Sequence, residues 1–171
     1  MTIKKLLTPF LIAGFVLSAG SNSFAEANES NDEVDWDKAW ESFETENYPS
    51  EITFPGGESL TRANEALRYT NGSTKISYAK GKVKSTGISQ DGGIFDVISA
   101  QTSIRTAGLS YIQGNYASTT VWKVFPSKAT STIETTDLSG TNVWEALTRH
   151  TVNRYSSNIT FTGYTSDSAK Y

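Results

Sequence analysis

Leu67-Arg68-Tyr69-Thr70-Asn71-Gly72-Ser73-Thr74-Lys75-Ile76 is the stretch whose reading decides the fold class. Aromatic, aliphatic and β-branched residues alternate with polar ones on both sides of Asn71-Gly72, and that dipeptide suits the positive φ angles of a two-residue turn. The spacing predicts a β-hairpin with Tyr69 beside Thr74 and Leu67 beside Ile76 on one face. The other face then sets Arg68 against Lys75, which requires that face to be wet. A helix over residues 58–68 competes, because Leu60, Ala63 and Leu67 also fit a helical spacing.

The same texture extends outward from this stretch. From Glu51 onward Thr, Ser, Val, Ile and Tyr recur with Gly and Asn punctuation, as in β-rich domains. Asp91-Gly92 predicts a second hairpin joining 87–90 to 93–100, with Ile88 opposite Phe95. Further strands are expected at 109–113, 119–125 and 130–136, and a final pair at 151–155 and 159–164 is joined by Ser156-Ser157-Asn158. Short strands with turn signals at this spacing predict an antiparallel sandwich or barrel rather than alternating β and α units. Asn142 and Glu145 form a capping-box pattern around Val143, Trp144, Ala146 and Leu147, which predicts one short helix near 143–149. The fold class is therefore all-β or β-dominated.

Before this body, Trp36, Ala39, Trp40 and Phe43 recur at i, i+3, i+4 and i+7. They predict a short amphipathic helix capped by Asp35 and ending before Pro49. Its apolar stripe has two possible destinations, its own domain or a partner. In the second case Trp36, Trp40 and Phe43 are the docking residues. Residues 26–33 are polar and without periodicity. At the start, Lys4 and Lys5 precede an apolar run at 6–19 interrupted by Pro9 and Gly14, and Ser23-Phe24-Ala25 stands before Glu26. That is the pattern of a secretory signal peptide. The run is shorter than the roughly 20 apolar residues a membrane span needs. The expected organisation is a signal peptide at 1–25, an acidic arm with the helix at 26–50 and one β-rich domain at 51–171. The expected location is extracellular, with any attachment to the cell surface non-covalent.

Charge and composition narrow the partners. The chain carries −3, and cleavage after Ala25 removes two lysines and leaves −5. A protein of that balance lacks the basic stripe that binding to phosphates needs, so no nucleic-acid partner is expected. Residues 26–51 hold ten acids against Lys38, whereas the remainder is mildly basic. There is no cysteine, which excludes disulfides, thiolate metal sites and a cysteine-linked lipid. About 146 residues after cleavage can still bury an ordinary core.

Catalytic signals are weak. His150 is the single histidine, and a triad with a serine and Asp96 or Asp137 has no Gly-x-Ser-x-Gly elbow to place it. Glu65, Asp96, Glu134, Asp137, Glu145 and Asp167 could supply a glycosidase pair, but six scattered acids also follow from solubility alone. Residues 31–37 alternate acids as a calcium loop does, yet Trp36 occupies the position where the sharp bend needs glycine. Gly56-Gly57 and Gly92-Gly93 are not followed by the lysine of a phosphate loop. No metal and no cofactor is expected. Aromatic residues remain as binding groups, and Trp144, Arg149, His150, Arg154 and Tyr155 are expected to form one exposed cluster at the end of the last hairpin.

These observations favour a secreted, non-enzymatic binding or assembly protein, bacterial in its export signal. Its partners would be an envelope glycan, another extracellular protein or copies of itself through exposed strand edges, with the helix as a detachable cover. A membrane-active toxin or bacteriocin is the alternative, although residues 117–141 alternate too poorly for a lipid-facing hairpin. A small secreted hydrolase is the second alternative.

Overall fold

Asn71 and Gly72 do not turn the chain. Both lie inside one long strand, where Asn71 pairs with Thr53 and Gln90 and Gly72 pairs with Ile52 and Ser89. The glycine answers to close approach rather than to a turn: a Cβ at position 72 would lie 2.7 Å from Cγ of His150, which packs against it from the opposing sheet. A glycine inside a strand often marks such a contact. The reversal comes instead at Lys80-Gly81, whose φ angles of 53° and 75° make a two-residue hairpin.

The computed structural model describes residues 34–57, 68–93, 95–122, 127–137, 143–155 and 157–171. The expected signal peptide, the polar lead-in and residues 58–67 of the competing helix expected at 58–68 lie outside the described residues, and Arg68 opens a strand. The elements are α1 (Trp36–Thr45), β1 (Glu51–Gly57), β2 (Arg68–Ala79), β3 (Lys82–Gln90), β4 (Val97–Thr106), β5 (Tyr111–Thr120), β6 (Lys128–Thr136), β7 (Val143–Arg154) and β8 (Ile159–Lys170). They form two antiparallel sheets, β1-β2-β3-β6 and β5-β4-β7-β8, packed face to face. Of the two architectures expected, the fold is the sandwich, and the sheets do not close into a barrel.

Several expected elements are displaced. The chain does bend at Asp91 and Gly92, with φ of 63° and 131°, but the bend carries it from β3 in the first sheet to β4 in the second. Ile88 accordingly pairs with Ser73 and Thr130, not with Phe95. The strand expected at 109–113 is the start of the longer β5, whereas Val121 and Trp122 lie past its end and 123–126 lie outside the described residues. The final hairpin is present, turning at Asn158 with φ 52°. The short helix expected near 143–149 is instead the first half of β7. Trp144, Ala146, Thr148 and His150 point into the sandwich while Leu147 points out beneath α1, so one buried apolar residue on the outer face breaks the alternation and the pattern imitates a helix.

The interior has three zones. One end is apolar, with Phe54, Ile98, Val121, Ala129 and Val152, and the other holds Ile76, Val83, Ile104, Trp144 and Ala146. Between them runs a polar belt of Thr74, Ser85, Ser89, Thr102, Ser131, Thr148, His150 and Thr165, each at most 5% exposed. Buried hydroxyls persist only when paired, and these are. Ser85 Oγ lies 2.9 Å from Thr102 Oγ1, Ser131 Oγ accepts from the Thr102 N–H at 2.9 Å, and Thr148 Oγ1 donates to Thr102 Oγ1 at 3.1 Å.

α1 lies on the outer face of the second sheet. The Asp35 carboxylate accepts from the Lys38 N–H at 3.1 Å and so caps the first turn. Trp36 and Trp40 are buried against Leu147 and Tyr111, with Phe43, Tyr48 and Tyr164 around them. The Trp40 indole donates to Ser103 Oγ at 3.0 Å, and the Arg105 guanidinium sits 4.3 Å over its ring. Arg105 also pairs with Glu145 at 2.8 Å and with Glu44 of the helix at 3.3 Å. The linker after α1 then ties the sheets together: Pro49 O accepts from Ser166 N in β8 and Ser50 O accepts from Thr74 N in β2.

Candidate functional site

His150 is the one titratable base of its kind in the chain, and it sits at the centre of the belt with no exposed surface. Its Nδ1 lies 2.8 Å from Ser89 Oγ and its Nε2 lies 2.7 Å from Thr165 Oγ1. The Ser89 hydroxyl has a single hydrogen, which it donates to Ser99 O at 2.6 Å. Ser89 must therefore accept from Nδ1–H, leaving Nε2 to accept from Thr165. Burial pushes the imidazole pKa down to about 4, so the ring is neutral at physiological pH and acts as a bridge between the sheets. It lines neither of the recesses that flank α1, which are about 640 and 270 Å³ in volume.

The surface most unlike the rest is one pole of the sandwich, where three connections converge. Phe95, on the β3–β4 connection, is 38% exposed; Trp122, past β5, is 58% exposed; and Tyr155, after β7, is 60% exposed. Phe95 stands between the other two, with centroid separations of 5.7 Å to Trp122 and 5.6 Å to Tyr155 and ring planes at 89° and 63°. Phe95 also has φ of 69°. For a bulky side chain this left-handed conformation is a genuine outlier, kept only where the surroundings over-determine it.

Those surroundings centre on Asp96, which is 2% exposed. Its Oδ2 accepts from Gly93 N at 3.0 Å and its Oδ1 from Tyr155 N at 3.1 Å, so one carboxylate joins two of the connections. Arg154 Nε lies 3.5 Å from Oδ2, and the same guanidinium donates to Pro55 O and lies 5.1 Å over the Phe161 ring. The third connection is tied by backbone: Phe95 N donates to Val121 O and Val121 N to Asp96 O, both at 2.9 Å. The three rings are thus presented on a rigid base.

The structure does not gather the five residues expected to form one binding cluster. They lie along β7 and just past its end, and eleven residues of strand separate Trp144 from Tyr155, roughly 35 Å. Trp144 is buried in the apolar zone at the far end, and His150 lies in the belt. Arg149 faces the opposite side, in the smaller recess with Lys38, Tyr48, Thr162 and Tyr164. Arg154 and Tyr155 alone belong to the aromatic pole, the first as a buried support and the second as an exposed ring. Trp36 and Trp40, the expected docking residues, are 2% and 3% exposed beneath α1, and Phe43 is half-buried beside them.

The sequence places Phe95 in an expected strand opposite Ile88 and Trp122 inside the strand expected at 119–125, and neither as a surface residue. The available signal was positional. Phe95 follows Gly92-Gly93, Trp122 ends a strand and Tyr155 opens a turn, which in an antiparallel sandwich puts all three at one pole. Compared with known proteins, the chain matches no family model and no curated sequence.

Proposed function

We propose that the protein is a non-enzymatic binding protein that acts outside the cell, and that it engages an envelope glycan through the pole formed by Phe95, Trp122 and Tyr155. The observation that carries this reading is the exposure of three touching aromatic rings on a backbone held in a costly conformation. Rings of this kind bind the apolar faces of sugars because they offer large area with little rotamer entropy to lose. An exposed apolar patch on a rigid base is also a common mark of an interaction site. The non-enzymatic part is supported by His150, since a general base must reach the proton it abstracts, and this imidazole is sealed between Ser89 and Thr165.

Retention of the secreted protein on insoluble cell wall is the test, compared with Trp122→Ala and Tyr155→Ala. Both side chains are more than half exposed, so the variants should keep the wild-type fold by circular dichroism while losing most retention. Retention equal to wild type in both variants would reject the pole as the binding surface. Ile159, half-exposed beside the same turn, gives a membrane reading its one specific support. Release of dye from liposomes without retention on wall would replace the glycan reading with that one.

A further inference from the structure

We propose that the protein associates head to tail with copies of itself, the acidic α1 of one molecule meeting the lysine-bearing outer face of the first sheet of the next. Segment 35–46 holds Asp35, Asp37, Glu41, Glu44 and Glu46 against Lys38, whereas the chain from residue 47 onward holds 12 Lys and Arg against 9 Asp and Glu. The fold turns that uneven sequence into a directional one. In β2 and β3 the buried residues alternate with Lys75, Lys82 and Lys84, and in β6 Lys128 precedes buried Ala129, so these four exposed lysines share the outward face. Cross-strand register sets Lys75 opposite Thr86 and Thr86 opposite Thr132, and sets Lys84 opposite Ser77 and Glu134. Lys82 is already paired with Glu134 at 2.6 Å, and among the described residues Glu51 is the other acid on this face, against four lysines.

The two charged surfaces cannot satisfy each other within one molecule. α1 packs outside the second sheet, and the lysines stand outside the first. Between them lie both sheets, spaced by about 10 Å, a distance at which screening at physiological salt has already removed most of the attraction. Glu44 is already paired with Arg105 and Asp35 with Lys38, and the remaining acids of the helix can meet the lysines of the first sheet only between molecules. The surfaces differ and lie on opposite sides, so the contact is heterologous and can repeat from molecule to molecule. Exposed ion pairs are individually weak, which makes the association dependent on concentration and sensitive to salt. It uses none of the aromatic residues assigned to glycan binding, so either proposal can fail without the other.

Sedimentation velocity of the protein decides it. At low salt, about 20 mM, the average mass should rise with protein concentration, and at roughly 0.3 M it should return to that of a single chain as the Debye length shortens. Lys75→Glu with Lys84→Glu makes both surfaces negative, and Glu41→Lys with Glu46→Lys neutralises the helix while the sheet stays positive. Each double variant should remain a single chain at low salt. An equimolar mixture of the two should regain pairs of molecules, because the unaltered acidic helix of one variant then meets the unaltered lysine face of the other. A single-chain mass for the wild type at every concentration in low salt would overturn the proposal, as would growth that persists in both double variants.

Discussion

The outer faces of the two sheets have met opposite fates. On the second sheet Leu147 and Ser103 are fully buried and Arg105 is nearly so, because α1 lies over them. On the first sheet the corresponding outward positions carry Lys75, Ser77, Lys84, Thr86, Thr130 and Thr132, and solvent is their counterpart. The two sheets have the same number of strands and share one interior. What separates them is a ten-residue helix, and the difference teaches that α1 belongs to the packing of the domain rather than being appended to it. A sheet with one solvated face shows the ordinary alternation of apolar and polar residues, whereas the covered face buries Ser103 and Arg105 beside Leu147 and pairs them with Trp40, Glu44 and Glu145.

The largest way to break this comparison is to remove the cover's anchor. Trp40 is buried, donates to Ser103 Oγ and stacks beneath Arg105. Trp40→Ala should cost about 3–5 kcal/mol through lost burial and the cavity left behind, read as a fall in the urea midpoint at unchanged m-value. A loss below about 1 kcal/mol, the size usual for exposed positions, would mean that α1 rests on the sheet without stabilising it. In that event the second sheet would be as independent of its cover as the first.

The same contrast explains what was legible in the sequence. The amphipathic helix could be read correctly from Asp35, Trp36, Ala39, Trp40 and Phe43, because capping and periodicity are local. The β class and the final hairpin were legible for the same reason. Asn71-Gly72 was misread because the pressure on Gly72 comes from His150, nearly eighty residues away in sequence, and a close approach leaves the same letter as a turn. Residues 143–149 were misread because Leu147 is apolar on account of α1, again a distant element. The aromatic pole was legible only as composition, since Phe95, Trp122 and Tyr155 meet through the sheet order and through Asp96.

A second, smaller effect sharpens the comparison at the belt, where the bare and the covered sheet meet. Gly72 and Ser89 of the first sheet receive the His150 ring of the second. Burial holds the folded imidazole at a pKa of about 4 against 6.5 in the free residue. Between those values the unfolded chain binds more protons, so stability rises with pH across this window. The contribution is complete above pH 6.5 and is lost as the pH falls towards 4, a change of roughly 3 kcal/mol. Urea unfolding at intervals from pH 7 to pH 4.5 should show that slope in the wild type, and His150→Asn should flatten it. Equal slopes in the two proteins would show that carboxylates, not the inter-sheet bridge, govern the acid response.

The smallest expected effect is on the bare face, and its smallness is the point. Thr86 lies on the central strand β3 with Lys75 on one side and Thr132 on the other, and among the described residues no helix covers it. Its β-branched side chain contributes propensity and cross-strand contact with the solvated face, effects of a few tenths of a kcal/mol. Thr86→Ala should therefore shift the urea midpoint by no more than about 0.5 kcal/mol. A cost several times larger would require a partner on that face in the folded state. It would have to depend on protein concentration if the partner is a second copy, because stabilisation by association follows mass action. Measuring Thr86→Ala at two concentrations thus separates a face that is simply wet from one that is occupied.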